Sequence, residues 1–234
     1  MNLVQRLQGT FFSPDVTFKS LAAKPVWVGA CLLILIATLL YTILINPYLQ
    51  QDQLRLMENN VELRDRYGDE RIDQMLETMR NPPRWRIIAG HVMSVVGMLA
   101  GLLITSLIIL VLGRMGSTEG RFIQIFAVLV HASFVDKLLG NAVRTFLVLY
   151  QKSFFQSTTT LAAFFPRLEV TSTSFIILSQ IDFFQLWMFG ILALGLVHIF
   201  KIERRRAFLV SFAFWFLKSA LHIGVTLMSM RLFM

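Results

Sequence analysis

The chain of 234 residues is too apolar for a soluble domain, because 56% of its residues are hydrophobic, 15% are charged and its mean hydropathy is +0.64. Apolar runs of about twenty residues, each able to cross a hydrocarbon core of roughly 30 Å, take up most of its length. The net charge of +8 does not indicate nucleic-acid binding, since the basic residues lie mainly at the ends of those runs, where they face phospholipid headgroups.

The N-terminal tail, residues 1–25, is expected to remain on the chain, because the apolar run that follows is too long for a signal peptide and has no cleavage site. Ser13 and Pro14 are typical of a helix start, with the hydroxyl as the cap and the proline in the first turn. We therefore predict a cytoplasmic tail with a short helix lying in the membrane interface.

Residues 26–234 are predicted to form one all-α integral membrane domain, a bundle of five transmembrane helices. The first span ends before Pro47 and contains Cys31, the only cysteine, which excludes a disulfide framework and a thiolate metal site. The five spans are predicted at about 26–45, 87–112, 122–139, 183–200 and 207–230.

Residues 48–86 carry seven arginines and eight acidic residues between apolar positions at helical spacing. This pattern predicts two amphipathic helices, broken near Tyr67 and Gly68 and closed by Pro82 and Pro83. The near-balanced charge favours a solvated extramembrane hairpin between spans one and two. A docking surface for a partner is the alternative.

The second span contains Gly97 and Gly101, a GxxxG spacing that permits close approach of another helix. The third span is expected to end or bend at Gly140 and Asn141, with Arg144 anchored near the headgroups. Residues 151–174, with hydroxyl-bearing side chains at 157–160, are predicted to form a surface loop.

Spans two to five each contain one histidine, at depths that differ too much for one ion with bonds near 2 Å. The four histidines are His91, His131, His198 and His222. We therefore predict no metal site.

Asp136 and Lys137 lie inside the third span, where an unpaired charge is costly. Lys218 and His222 are four residues apart on the fifth span and at a similar height. The sequence predicts that Asp136 pairs with Lys218, His222 or both, while Lys137 extends towards the surface near Asp182, the predicted cap of span four. A structural ion pair, a proton or solute path, and charged side chains that reach the surface without pairing all fit such a cluster.

No catalytic residue and no cofactor site are predicted, because HExxH, GxSxG, P-loop and Rossmann patterns do not occur in the sequence. An aspartyl pair of Asp136 and Asp182 is disfavoured, since the second carboxylate lies at a span entrance and two carboxylates acting on one water must be adjacent. The density of lysine and arginine in the loops predicts a cytoplasmic N-terminus and a C-terminus on the outer face.

Three stretches together resemble the Yip family of five-span membrane proteins. They are FFSPDVTFKSLAAKP from Phe11, GxxxGRFxQIFAVLVHASFV from Gly116, and SQIDFFQLWxxxxLALG from Ser179. Eukaryotic members are linked to Rab-type GTPases and early secretory trafficking, but they have a longer tail with a DLYGP-type motif that this chain lacks. The hairpin after span one is similar to that of bacterial relatives.

The resemblance implies a protein of the bacterial cytoplasmic membrane whose partners are the lipid bilayer and other membrane proteins, among them an ABC-type exporter, or a second copy of itself. The expected function is that of a non-enzymatic accessory or scaffolding component of an export or trafficking assembly. The alternative is a small transporter or channel that uses the polar cluster around Asp136.

Overall fold

The computed structural model of the protein describes residues 1–155 and 159–233, apart from the side chains of residue 62 and residues 230–233. Residues 156–158 of the predicted loop lie outside the described residues. The α-helices are α1 Leu3–Phe12, α2 Pro14–Ala23, α3 Val28–Glu58, α4 Val61–Tyr67, α5 Asp69–Arg80, α6 Arg84–Arg114, α7 Phe122–Ser133, α8 Asn141–Gln151, α9 Thr173–Leu178, α10 Phe183–Phe200 and α11 Arg204–Phe233. A π-helical segment, Phe134–Gly140, joins α7 to α8, and Leu161–Phe164 form a 3₁₀ helix.

Five helices in the described part of the chain are long and apolar enough to cross a membrane: α3, α6, the continuous third span from α7 to α8, α10, and α11. The predicted all-α, five-span fold is therefore confirmed. The third span is the centre of the bundle, with 67% of its most apolar window buried, whereas α6 and α11 are each only 17% buried. The outer helices present apolar side chains such as Leu107 and Leu221 on their exposed faces.

The N-terminal helices pack onto this centre. Helix α2 begins at Pro14, as the sequence predicts, but the predicted cap by the Ser13 hydroxyl is not formed. The helix buries Phe18 and Leu21 against α7 and α10. Helix α1 was not predicted. It folds back on α2 at Gly9, where an added Cβ would lie 2.1 Å from the Thr17 hydroxyl oxygen.

The first span does not end at Pro47. Helix α3 continues through the proline to Glu58, although an interior proline costs a helix about 3 kcal/mol. Tertiary contacts hold the extension: the buried carboxylate of Asp52 accepts hydrogen bonds from the Ser153 hydroxyl at 2.8 Å and from the backbone N–H groups of Phe154 and Phe155 at 2.6 and 3.1 Å. The predicted end of span one before Pro47 is wrong, because the sequence near the proline gives no sign that Asp52 will bind residues 153–155.

The hairpin between spans one and two is built from α4 and α5, which meet at Gly68 with φ +81°. The break at Gly68 and the closure at Pro82 and Pro83 agree with the sequence. Helix α5 packs its buried Ile72 and Leu76 on the side of the α3 extension. The first part of the predicted hairpin thus belongs to the helix of span one.

The third span also continues past its predicted end. Gly140 closes the π-helical segment without a break, and the helix runs on to Gln151. A Cβ at Gly140 would lie 3.0 Å from the Phe184 ring, so the glycine allows close packing against α10. π-Helical turns inside α-helices often occur at functional sites.

Candidate functional site

Arg144 of α8 lies between two buried carboxylates. Its Nη2 donates to Asp136 Oδ1 and to Asp182 Oδ1, both at 2.8 Å, and the side chains of these aspartates are 4% and 3% exposed. Nε donates to the Thr159 hydroxyl at 3.0 Å and Nη1 to Asn141 Oδ1 at 3.1 Å. One guanidinium therefore joins the π-helical segment, α8, the loop before α10, and α10 itself.

Asp182 caps α10, as the sequence predicts. Its Oδ1 accepts from the backbone N–H of Gln185 at 3.0 Å, and its Oδ2 accepts from the Thr159 hydroxyl at 2.5 Å. The backbone around it is fixed by a bridge between Thr160 and Asp182 and by a hydrogen bond from Leu161 N–H to the Ile181 carbonyl at 2.8 Å. The cap and the ion pair thus use the same carboxylate.

Lys137 completes the cluster. Its Nζ lies 2.8 Å from Asp136 Oδ2, while Arg144 also stacks over the Phe184 ring at 5.6 Å. The two carboxylates and the two cations balance in formal charge. Pairing and hydrogen bonding of this kind are what buried charges require.

The predicted pairing of Asp136 with the fifth span is wrong. Among the residues that the structure describes, Asp136 forms ion pairs with Lys137 and Arg144 and none with Lys218 or His222. Lys218 instead donates to Gln185 Oε1 and lies 5.9 Å from the Phe189 ring. His222 is exposed on the outer surface of α11.

The third span is longer than the sequence indicated, and its extra turns bring Arg144 to Asp136. Because the sequence indicated an end at Gly140, Arg144 was expected among the headgroups and Lys137 beside Asp182. In the continuous helix, Arg144 follows Asp136 by eight residues, about two turns, and can reach it from the same side. The eight-residue spacing could have identified Arg144 as the partner of Asp136. The sequence holds no such signal for Thr159, because its position depends on the fold of the loop between α8 and α10.

Two cavities flank the cluster. One, of about 210 Å³, lies between α6, α7, α10 and α11 and is lined by Asp136 and Lys218. The other, of about 380 Å³, is lined by Arg144 and Asp182. Lys137 and Gln185 line both cavities, so these two side chains separate them.

Gly97 and Gly101 do not mediate packing between the helices that the structure describes. A Cβ at either position would have no heavy atom within 4 Å. The predicted close approach is therefore not made in the described bundle, and the small-residue face of α6 is open. Helix α6 is little buried as a whole, and Gly101 also lines the cavity of about 210 Å³ between α6, α7, α10 and α11.

The histidines stand apart, and no group of three His, Cys, Asp or Glu side chains in the described part of the chain could hold a metal ion. His131 is fully buried, with Nδ1 2.7 Å from the Ala127 carbonyl oxygen. Nε2 of His198 lies 3.1 Å from Asp15 Oδ1 at the opposite end of the bundle from the hairpin. His91 lines a separate cavity beside the hairpin.

Comparison with known proteins gives one match. The family model of the Yip1 domain matches residues 9–225, a range that includes α2, all of the ion cluster and most of the fifth span. No curated protein and no solved structure matches the chain.

Proposed function

Because the chain belongs to the Yip1 domain family of membrane proteins, we propose that it is a non-enzymatic accessory or scaffolding component of a membrane export or trafficking assembly. The observation that carries this proposal is the open face of α6 around Gly97 and Gly101. The ion cluster supports it from inside the bundle, since its charges are satisfied by one another.

The ion cluster holds the third span against the start of α10. Arg144, Asp136 and Asp182 connect the third span to the entrance of α10, and every carboxylate oxygen of the two aspartates has a partner. A carboxylate held in this way is a poor general base, because both of its oxygens are already engaged by neighbouring donors. The cluster therefore serves to fix which helices pack together.

The open face of α6 suits a partner helix. Gly97, Ala100 and Gly101 are exposed and have Val96 and Ile104 beside them, both more than half exposed. Small residues let two backbones approach closely in lipid, where helix association depends on van der Waals packing and not on burial of apolar surface from water. The occupant we propose is a transmembrane helix of another membrane protein, such as an ABC-type exporter subunit, or of a second copy.

Replacing Gly97 and Gly101 together by leucine tests the proposal. Leucine side chains would fill the open face, and we expect co-purification of the partner in mild detergent to fall about tenfold, a loss of roughly 1.4 kcal/mol. The matched control is Gly224→Leu on α11, another open glycine on a membrane helix. Recovery of the wild-type chain alone in several detergents, or equal effects of the two variants, would reject the accessory role.

The second candidate function is a small transporter or channel. It is favoured by the two cavities that lie on either side of Lys137 and Gln185, because movement of these two side chains would give the continuous access that a polar pathway needs. The test is a cysteine at Met188, which lines the inner cavity, in a Cys31→Ser background. Modification by a membrane-impermeant thiol reagent favours transport, while protection, together with modification of a cysteine at Phe155 in the other cavity, excludes an open path.

We further propose that the protein resides in the cytoplasmic membrane of a bacterium with its N-terminus in the cytoplasm. Support comes from the density of basic residues on the face that carries the N-terminal helices. This face includes the linker between α10 and α11, where Lys201 and Arg204 to Arg206 lie within six residues.

A further inference from the structure

A basic cleft lies on the membrane face that carries the N-terminal helices. It has a volume of about 520 Å³ and is formed by α2, the turn between α6 and α7, and the end of α10. Its charged lining consists of Lys19, Arg114, Glu119, Arg121 and Lys201. Because α6 and α10 end here and α7 begins here, the cleft lies at the level of the phospholipid headgroups.

The floor of the cleft is closely packed. The Phe200 ring at the end of α10 packs on Gly113 and Gly120, where an added Cβ would come within 2.1 Å and 2.6 Å of it. The Ser117 hydroxyl donates to the Phe200 carbonyl at 2.6 Å, and Arg114 Nη2 donates to the Gly120 carbonyl at 2.9 Å. These contacts hold the turn between α6 and α7, which carries Arg114 and Arg121, against the end of the fourth span.

The cleft has more positive than negative charge. Glu119 is paired with Lys201 at 3.0 Å. Lys19, Arg114 and Arg121 form no ion pair with any residue that the structure describes. Three cations around one cleft repel one another unless an anion lies between them.

We propose that this cleft binds the phosphate of an anionic phospholipid headgroup. Arginine matches phosphate oxygens with its planar set of donors, and lysine adds a point charge. Basic pockets between transmembrane helices at this depth are suited to lipid headgroups, and each cation near an anionic membrane surface contributes about 1 kcal/mol. The position in the interface selects a lipid phosphate over one from solution.

The test uses the full chain purified in detergent. Native mass spectrometry measures the binding of phosphatidylglycerol in one titration and of phosphatidylcholine in another. The double variant Lys19→Gln, Arg121→Gln removes two cations whose side chains make no ion pair among the described residues. We expect its affinity for phosphatidylglycerol to fall about 30-fold at low ionic strength, which corresponds to two such contributions. Phosphatidylcholine binding should not change.

The matched control is Arg205→Gln, Arg206→Gln, which removes the same charge from exposed positions on the same face but outside the cleft. An equal loss in the control would overturn the proposal, because it would show attraction to the face as a whole. Full competition by soluble glycerol phosphate would overturn the lipid assignment. The single variant Lys19→Glu gives a second measurement, and an affinity equal to that of the wild-type chain would also reject the site.

Discussion

Arg144 is the residue on which the buried cluster depends, because it is the cation shared by both buried carboxylates. Replacing Arg144 by methionine would remove the cation that pairs with Asp182 and one of the two that pair with Asp136. Removing one partner of a buried ion pair typically costs about 3–5 kcal/mol. We expect the variant to unfold at a clearly lower temperature in detergent, as measured by thermal unfolding monitored with circular dichroism.

Two further variants make that measurement specific. Arg144→Lys keeps the charge but cannot donate to both carboxylates and Asn141 from one planar group, so its loss should be intermediate. Arg205→Met at an exposed position should have little effect. A wild-type unfolding temperature for Arg144→Met would show that the cluster does not stabilise the bundle.

The sequence identifies Asp136 as a residue that must have a partner, since its depth makes an unpaired carboxylate costly. It does not identify the partner. The estimated depth along the spans points to Lys218, whereas the spacing to Arg144 matters only if the helix continues past Gly140. The helix continues past Gly140 because of tertiary contacts, in which Gly140 packs against Phe184 and Arg144 forms an ion pair with Asp182.

At the scale of elements, the spans themselves follow from hydropathy, whereas their ends do not. The end of α3 shows why: Pro47 is a local signal for termination, but Asp52 forms three hydrogen bonds to residues 153–155, about a hundred positions away. Helix α1 was missed for a related reason, since its contact with α2 at Gly9 is not visible in a hydropathy pattern.

The Asp52 contact gives a prediction for this extension. Asp52→Ala removes a charged acceptor from three donors, and we expect a loss of about 3 kcal/mol, with faster amide hydrogen exchange at Phe154 and Phe155. Asp65→Ala, an exposed aspartate on α4, is the control. Unchanged exchange at Phe154 and Phe155 would mean that the proline-containing helix is held by other contacts.

Helix α10 offers a matched pair of glycines for testing its packing on α7. A Cβ at Gly195 would lie 2.2 Å from Val128 Cγ1, whereas a Cβ at Gly190 meets no heavy atom within 4 Å. We expect Gly195→Ala to destabilise the bundle by about 1–3 kcal/mol through overpacking. Gly190→Ala should be neutral or stabilising by up to about 1 kcal/mol, because alanine favours a helix.

Thermal unfolding of the two variants in the same detergent measures the difference. Equal unfolding temperatures would contradict the close approach of α7 and α10. Gly195 and Gly120 both belong to the stretches that resemble the Yip family, and in the structure both positions take a bulky neighbour in place of a side chain. In these two stretches, the glycines that contribute to the resemblance are therefore positions where α10 packs closely against its neighbours.

For the whole molecule, five spans place the hairpin and the linker between α10 and α11 on opposite faces of the membrane. The distribution of basic residues supports the proposed orientation, since lysine and arginine in short loops are typical of the cytoplasmic face. Nine of them lie on the face of the N-terminal helices: Arg6, Lys19, Lys24, Arg114, Arg121, Lys201, Arg204, Arg205 and Arg206. On the other face, Arg144 is taken up by the ion cluster and Arg64 and Arg80 pair with acidic residues.

Single cysteines in a Cys31→Ser background test this arrangement. Glu70 on α5 and Glu203 in the linker are both exposed acidic residues, so they form a matched pair of labelling positions. In intact bacterial cells, an impermeant maleimide should modify a cysteine at Glu70 and should reach one at Glu203 only after the membrane is opened. Labelling of both positions from outside would contradict the five-span topology, and the reverse pattern would keep the bundle but invert the proposed orientation.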